Sequence, residues 1–123
     1  MELSSLKSWL EAYGAAWESR DPEASAELFD KDGTYQVTPF LEPMRGRDEI
    51  LEYWKQVART QENIRFGYEV FSVTSEFGIS HWWASFVRNP LGLRTKLDGI
   101  FLILLNSEGR CRTLREWWHK EQE

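Results

Sequence analysis

From Leu3 to Ser19 apolar residues recur at spacings of three and four: Leu3, Leu6, Leu10, Tyr13 and Trp17, with Trp9 and Ala16 widening the stripe. That period predicts an amphipathic helix over 3–19 with one buried face. Ser4 or Ser5 is placed to cap its start, and Gly14 with Ala15 leaves room for another element to come close. Asp21-Pro22 predicts a new start, an acceptor side chain followed by proline at the first helical position, with a second helix running to about Phe29. "DKDG" reads as the turn that stops it, and "TYQVT" at 34–38 as a short strand. After the loop "PFLEPMRG", Ile50, Leu51, Trp54, Val57 and Ala58 mark the buried face of a third helix from about Arg47 to Arg59. Asp48 and Glu49 fall in its first turn, where the helix dipole favours acids.

From Ile64 onward the period is two. Residues 64–75, 78–88, 94–105 and 110–120 read as four strands joined by "SEFG", "NPLG" and "NSEG". Connections that short predict an antiparallel meander. The strands are about twice the usual length of roughly 5–6 residues, and long antiparallel strands twist and coil. The expected fold class is α+β: one domain over 1–123, a cone-shaped, curled antiparallel sheet packed on three helices of the N-terminal half, in the order α-α-β-α-β-β-β-β. The cone should enclose a pocket.

Composition narrows the partners. Seven of the 123 residues are Trp, enough to line a core or a cavity with large rings. Twenty acids against fifteen bases give a net charge of −5, so nucleic acid is not the expected partner. The longest apolar run, Ile100 to Leu105, is far short of the ~20 residues of a membrane span. Glu2, Lys7 and Glu11 stand where a secretory leader would be apolar. A single cysteine, Cys111, excludes an internal disulfide and a Cys-based zinc cluster. The expectation is a cytoplasmic domain with no nucleic-acid or membrane partner.

The element order resembles that of the nuclear transport factor 2-like, or ketosteroid isomerase-like, superfamily. The strings "DPEASAELF", "TPFLEPMRGRDEILEYW", "ISHWWASF", "LDGIFLIL" and "EGRCRTLREWW" look like its SnoaL-like members. The resemblance covers nearly the whole chain. It implies the cone fold, but that fold hosts cyclases, isomerases, dehydratases, hydrolases and binding domains. Beside the ketosteroid isomerase branch, Tyr13 matches the oxyanion-hole tyrosine, Thr38 stands where the catalytic aspartate should be, and Phe101 replaces the second oxyanion donor. Isomerisation by that branch's residues is therefore not expected. The same comparison points Leu114, Glu116 and Trp118 into the cone beside Leu97, Gly99, Phe101 and Ile103, and turns Asp98, Ile100, Leu102 and Leu104 outward.

Glu116 is the first candidate for chemistry. Between Leu114 and Trp118 on one strand face, a carboxyl loses hydration and its pKa rises toward general acid–base values. The competing reading is a structural ion pair with Arg112 or with an arginine on a neighbouring strand. Asp98, unusual in mid-strand, is an alternative acid if a bulge shifts the phase, and otherwise an outward-facing interface group. Tyr13 is either an oxyanion donor or a core tyrosine. Trp17, Thr38, Phe40, Trp54, Trp82, Phe101, Leu114 and Trp118 are the expected ligand-binding set, although rings of this kind also simply fill cores. Trp82 and Trp83 are adjacent on a strand and must face opposite ways. His81 and His119 stand alone on the strand surface, so neither metal nor cofactor is expected. Arg110, Arg112, Arg115 and Lys120 read as edge protection and ion pairs.

Two functions remain open at this level. One is a cofactor-free cyclase, isomerase or dehydratase acting on a small hydrophobic carbonyl compound, with Glu116 moving the proton and Tyr13 stabilising the oxyanion. The other is a non-catalytic binder of a small hydrophobic molecule; a purely structural dimer is a weaker third. The apolar row Ile100, Leu102 and Leu104 with Trp117 predicts a homodimer through the sheet.

Overall fold

The computed structural model describes residues 1–123. Helix α1 spans Leu3–Glu18 and buries Leu6, Trp9, Leu10, Tyr13, Gly14, Ala16 and Trp17, the stripe read from the spacing. Its N-cap is Glu2, and no side chain caps it; the Glu2 carbonyl starts the ladder, so neither Ser4 nor Ser5 has that role. Gly14 is needed because a Cβ there would come within 2.6 Å of the Phe66 ring, the contact that seats α1 on the sheet. Helix α2 is short, Pro22–Glu27, and Asp21 caps it by accepting the Ala24 N–H at 3.0 Å. Helix α3 spans Arg47–Thr60 and buries Ile50, Trp54 and Val57.

The strands are β1 Phe29–Gln36, β2 Met44–Arg45, β3 Gln61–Val73, β4 Gly78–Arg88, β5 Leu93–Leu105 and β6 Cys111–Gln122. They form one sheet in the order β2-β1-β6-β5-β4-β3. The long meander β3 to β6 is antiparallel, as the short connections require. Gly92 and Gly109 supply the positive φ in two of its turns. The sheet as a whole is mixed, because β1 returns beside β6 in parallel. β1 also begins earlier than the pattern suggests. "DKDG" is an irregular stretch inside it, where the register against β6 shifts between Phe29 and Thr34 and Asp30 accepts the Asp32 N–H.

The sheet curls without closing, and α1 and α3 fill its concave side. An 18-residue cluster occupies that interior, including Trp9, Tyr13, Trp17, Tyr35, Trp54, Trp82, Phe101 and Leu114. No helix is long and apolar enough to cross a membrane. β6 lies between β1 and β5, so its basic residues do not protect an edge; Arg110 instead faces Glu27 and Glu108 at 3.9 and 3.8 Å.

Candidate functional site

Three elements bring one polar chain into the apolar interior. β6 alternates so that Leu114 and Glu116 point inward, with Phe101 of β5 directly across from Glu116. β1 runs beside β6 and turns Tyr35 to the same side. α1 presents Tyr13 from its buried stripe. The Tyr35 hydroxyl donates to Glu116 Oε2 at 3.1 Å, and the Tyr13 and Tyr35 hydroxyls approach at 3.4 Å. Tyr53 of α3 packs edge-on against Tyr35, with centroids 5.4 Å apart.

Glu116 is only 5% exposed and is the only charged side chain among the buried residues. Burial holds its carboxyl well above the usual glutamate range, and the hydrogen bond from Tyr35 only partly opposes that. Burial, with the charge of Glu116 second, likewise raises Tyr13, Tyr35 and Tyr53 above an ordinary phenol. The expected alternative for Glu116 does not form, because Arg112 is turned away. Leu104 pairs with Thr113 and Leu105 with Cys111, which leaves Arg112 as the extra residue of a β-bulge, exposed to solvent. No cation stands beside the carboxyl.

The expected ligand-binding residues divide. Trp17, Trp54, Trp82, Phe101 and Leu114 lie in the interior, with Trp82 stacked on Phe101 at 4.9 Å. Trp118 is at the rim, half-buried, and its indole N–H donates to the Val37 carbonyl at 2.7 Å. Thr38 and Phe40 belong to the loop beyond it; Phe40 is 95% exposed and joins no interior surface. A groove outside the rim is lined by Thr38, Phe40, Gly99, Ile100, Trp117 and Trp118. The largest cleft, about 1030 Å³, lies between α1 and β3, again away from Glu116. None of the larger clefts reaches Glu116, Tyr35 or Tyr13. The open pocket expected inside the cone is filled with side chains.

Two features of this interior are not singled out by the sequence reading. Tyr35 is the link between Tyr13 and Glu116, and strand alternation in "TYQVT" is the signal that points to it. The indole N–H groups of Trp54 and Trp82 are buried without any acceptor, each at a cost of about 1–3 kcal/mol.

On the convex face the phase is as aligned. Asp98 points outward and accepts from His81 Nε2 at 2.9 Å, while Glu69 holds Nδ1 at 3.0 Å. His81 is thus no isolated histidine. Phe71 and Trp83 flank its ring. No group of side chains is arranged to hold a metal ion.

A family model described as a SnoaL-like domain matches residues 10–113. No curated protein matches the chain in sequence. Among solved structures, the epoxide hydrolase/cyclase-like enzyme SalBIII, which has a role in pyran ring formation in the polyether salinomycin, is 17% identical, with a TM-score of 0.82 over 94% of this chain and 92% of that one. The Δ5-3-ketosteroid isomerase of Mycobacterium sp. is 15% identical, with a TM-score of 0.82 over 97% and 98%. A computationally designed 17-OHP binder is also 15% identical, with a TM-score of 0.82 over 95% and 96%. At such identities the likeness is one of fold.

Proposed function

The chain belongs to the SnoaL-like domain family, and on that premise we propose that its interior takes a small hydrophobic carbonyl compound and moves a proton on it without a cofactor. The observation that carries this reading is the buried chain Tyr13–Tyr35–Glu116 with no cation beside the carboxyl. A carboxylate kept for a structural ion pair would have a cation beside it. Held in its acid form, Glu116 has a proton to give to a substrate oxygen; as the carboxylate it takes one from carbon. A cyclisation, isomerisation or dehydration uses these two steps in some order. The Tyr13 hydroxyl, held only loosely at 3.4 Å, is free to turn toward a developing oxyanion. Val37, Tyr53, Leu97 and Trp118 are partly buried against this core, and a compound reaches Glu116 only where side chains of the filled interior move aside. Cyclase and isomerase relatives of the same fold support the reading.

A second reading is a binder that performs no chemistry; the designed 17-OHP binder shares the fold. The test begins with native mass spectrometry of protein purified from its source. A co-purifying neutral compound that the wild type converts and Glu116→Gln binds unchanged supports the enzyme. A compound bound and never converted supports the binder, and a chain that carries no compound counts against both.

We also propose that the chain forms a homodimer through the convex sheet face. Phe71, Trp83 and Trp117 are exposed there around the half-buried Ile100 and Leu102, a contiguous apolar surface of the kind that marks partners.

A further inference from the structure

We infer that the cleft between α1 and β3 receives an extended, basic peptide segment of another protein, which adds to the sheet as a strand beyond β3. β3 is the last strand of the sheet, and the outer side of such a strand carries backbone N–H and C=O groups with which a further strand can pair. The Phe66 N–H shows which groups these are. It donates to Glu18 Oε2 of α1 at 2.8 Å and therefore points away from β4. Tyr68 and Val70 follow at the strand period of two and present their N–H and C=O to the same side. Bulges interrupt the pairing with β4 between Glu62 and Arg65 and between Val70 and Ser72, and Arg65–Val70 keeps unbroken register between them. Bulges commonly blunt a sheet edge. Here they leave one regular run about as long as an ordinary strand, and residues 66–70 of it line the cleft.

The charge of the cleft selects the guest. Its charged lining is Lys7, Glu11 and Glu18 on α1 and Glu69 on β3. Each carboxylate uses one oxygen within the chain, on the Tyr68 hydroxyl, the Phe66 N–H and His81 Nδ1 respectively, and keeps the other. On the far side of the strand, a Cβ at Gly67 would run into the Trp83 indole. The absence of that Cβ lets the Trp83 ring, 42% exposed, reach over β3 into the cleft. Side chains of an added strand alternate between two sides. Those on one side would meet Glu11 and Glu18, and those on the other the Trp83 ring and Glu69. Three carboxylates against one ammonium call for lysine or arginine, and the indole calls for apolar residues between them. A second copy pairing by the same edge would set the acids of one α1 beside those of the other, so the occupant is a different chain.

The test uses a capped peptide of alternating lysine and valine, about seven residues long. Its controls are the same peptide with glutamate in place of lysine, and the lysine peptide methylated on every backbone nitrogen. In the wild-type chain the backbone ¹H–¹⁵N signals of Tyr68 and Val70 should move downfield with the lysine peptide, and exchange of both amides with solvent should slow. That readout needs no variant to fold. Each control should bind at least about tenfold more weakly, one for want of charge complementarity and the other for want of backbone pairing. Glu11→Lys should weaken binding of the lysine peptide about fivefold. Tyr68 and Val70 signals that stay in place, or a methylated peptide that binds as tightly as the unmethylated one, overturn the inference. A wild-type dimer that Val70→Pro converts to a monomer assigns the edge to a second copy and overturns it too. None of these outcomes bears on the interior site.

Discussion

At the scale of the residue, Glu116 is where sequence and structure meet most directly. Alternation along β6 with Leu114 places it inward, and its burial follows from the rings around it. Its raised pKa has a consequence for stability with a definite sign. In the unfolded chain the group titrates near its ordinary value of 4.5. Above that pH the unfolded chain gives up the proton while the folded one keeps it, so folding takes a proton up. Stability from this group is therefore full below the ordinary value and falls as pH rises, by up to about 1.4 kcal/mol per pH unit, until the folded pKa is passed. Glu116→Gln keeps the shape and removes the titration. Urea unfolding between about pH 5 and pH 8 should show the variant gaining on the wild type as pH rises. Parallel curves would show a carboxyl that titrates normally. What the residues do not reveal is the company Glu116 keeps. Tyr35 is distant in sequence, and its strand returns beside β6 through a parallel pairing that leaves no local signal. The bulge that expels Arg112 depends on register, which alternation alone does not set.

At the scale of the element, the meander is legible because each long strand carries a period of two and each turn its own glycine or asparagine. β2, with two residues, is too short to show any period. The closed interior is not legible either: periodicity says which side chains point inward, whereas whether they leave a gap depends on how they pack. His81 shows a device that only strand pairing reveals. It stitches β4 to β3 through Glu69 and to β5 through Asp98. A neutral imidazole has one N–H, so only the protonated ring donates to both carboxylates. Burial pulls its pKa down, but the hydrogen bonds to Asp98 and Glu69 outweigh it and the net shift is upward. The stabilisation is thus present below the unfolded pKa and lost as pH rises through the folded one. With both carboxylates more than half exposed, it amounts to less than about 1 kcal/mol. Thermal melts of wild type and His81→Gln should lie apart at about pH 5 and converge toward about pH 8. A gap that persists at the higher pH would assign the effect to packing against Phe71 and Trp83.

At the scale of the whole molecule, every helix lies on the concave side, so nothing in the chain covers the convex face. A sheet with one face packed on the core and one in water normally shows polar residues on the outer side. Here Ile100 and Leu102 of β5 stand between Ile79 and His81 of β4 and Arg115 and Trp117 of β6, with exposed Trp83 beyond them. Arg115 sits over the Trp117 ring at 4.8 Å on one flank, and Glu69 and Asp98 lie toward the other. A two-fold axis through the middle of the face would bring these unlike flanks together while burying the apolar centre, the isologous geometry of most homodimers. Leu102→Lys places an ammonium at that centre, on a side chain that takes no part in the interior core. With the proposed dimer, the wild type should sediment as a dimer and the variant as a monomer with an unchanged far-ultraviolet circular dichroism spectrum, and the variant should melt at a lower temperature, because association stabilises the folded chain. A wild type that is monomeric at tens of micromolar would remove the dimer. A Leu102→Lys protein that remains dimeric would move the interface to another surface, and the cleft between α1 and β3, with Phe71 and Trp83 on its wall, is the next surface to test.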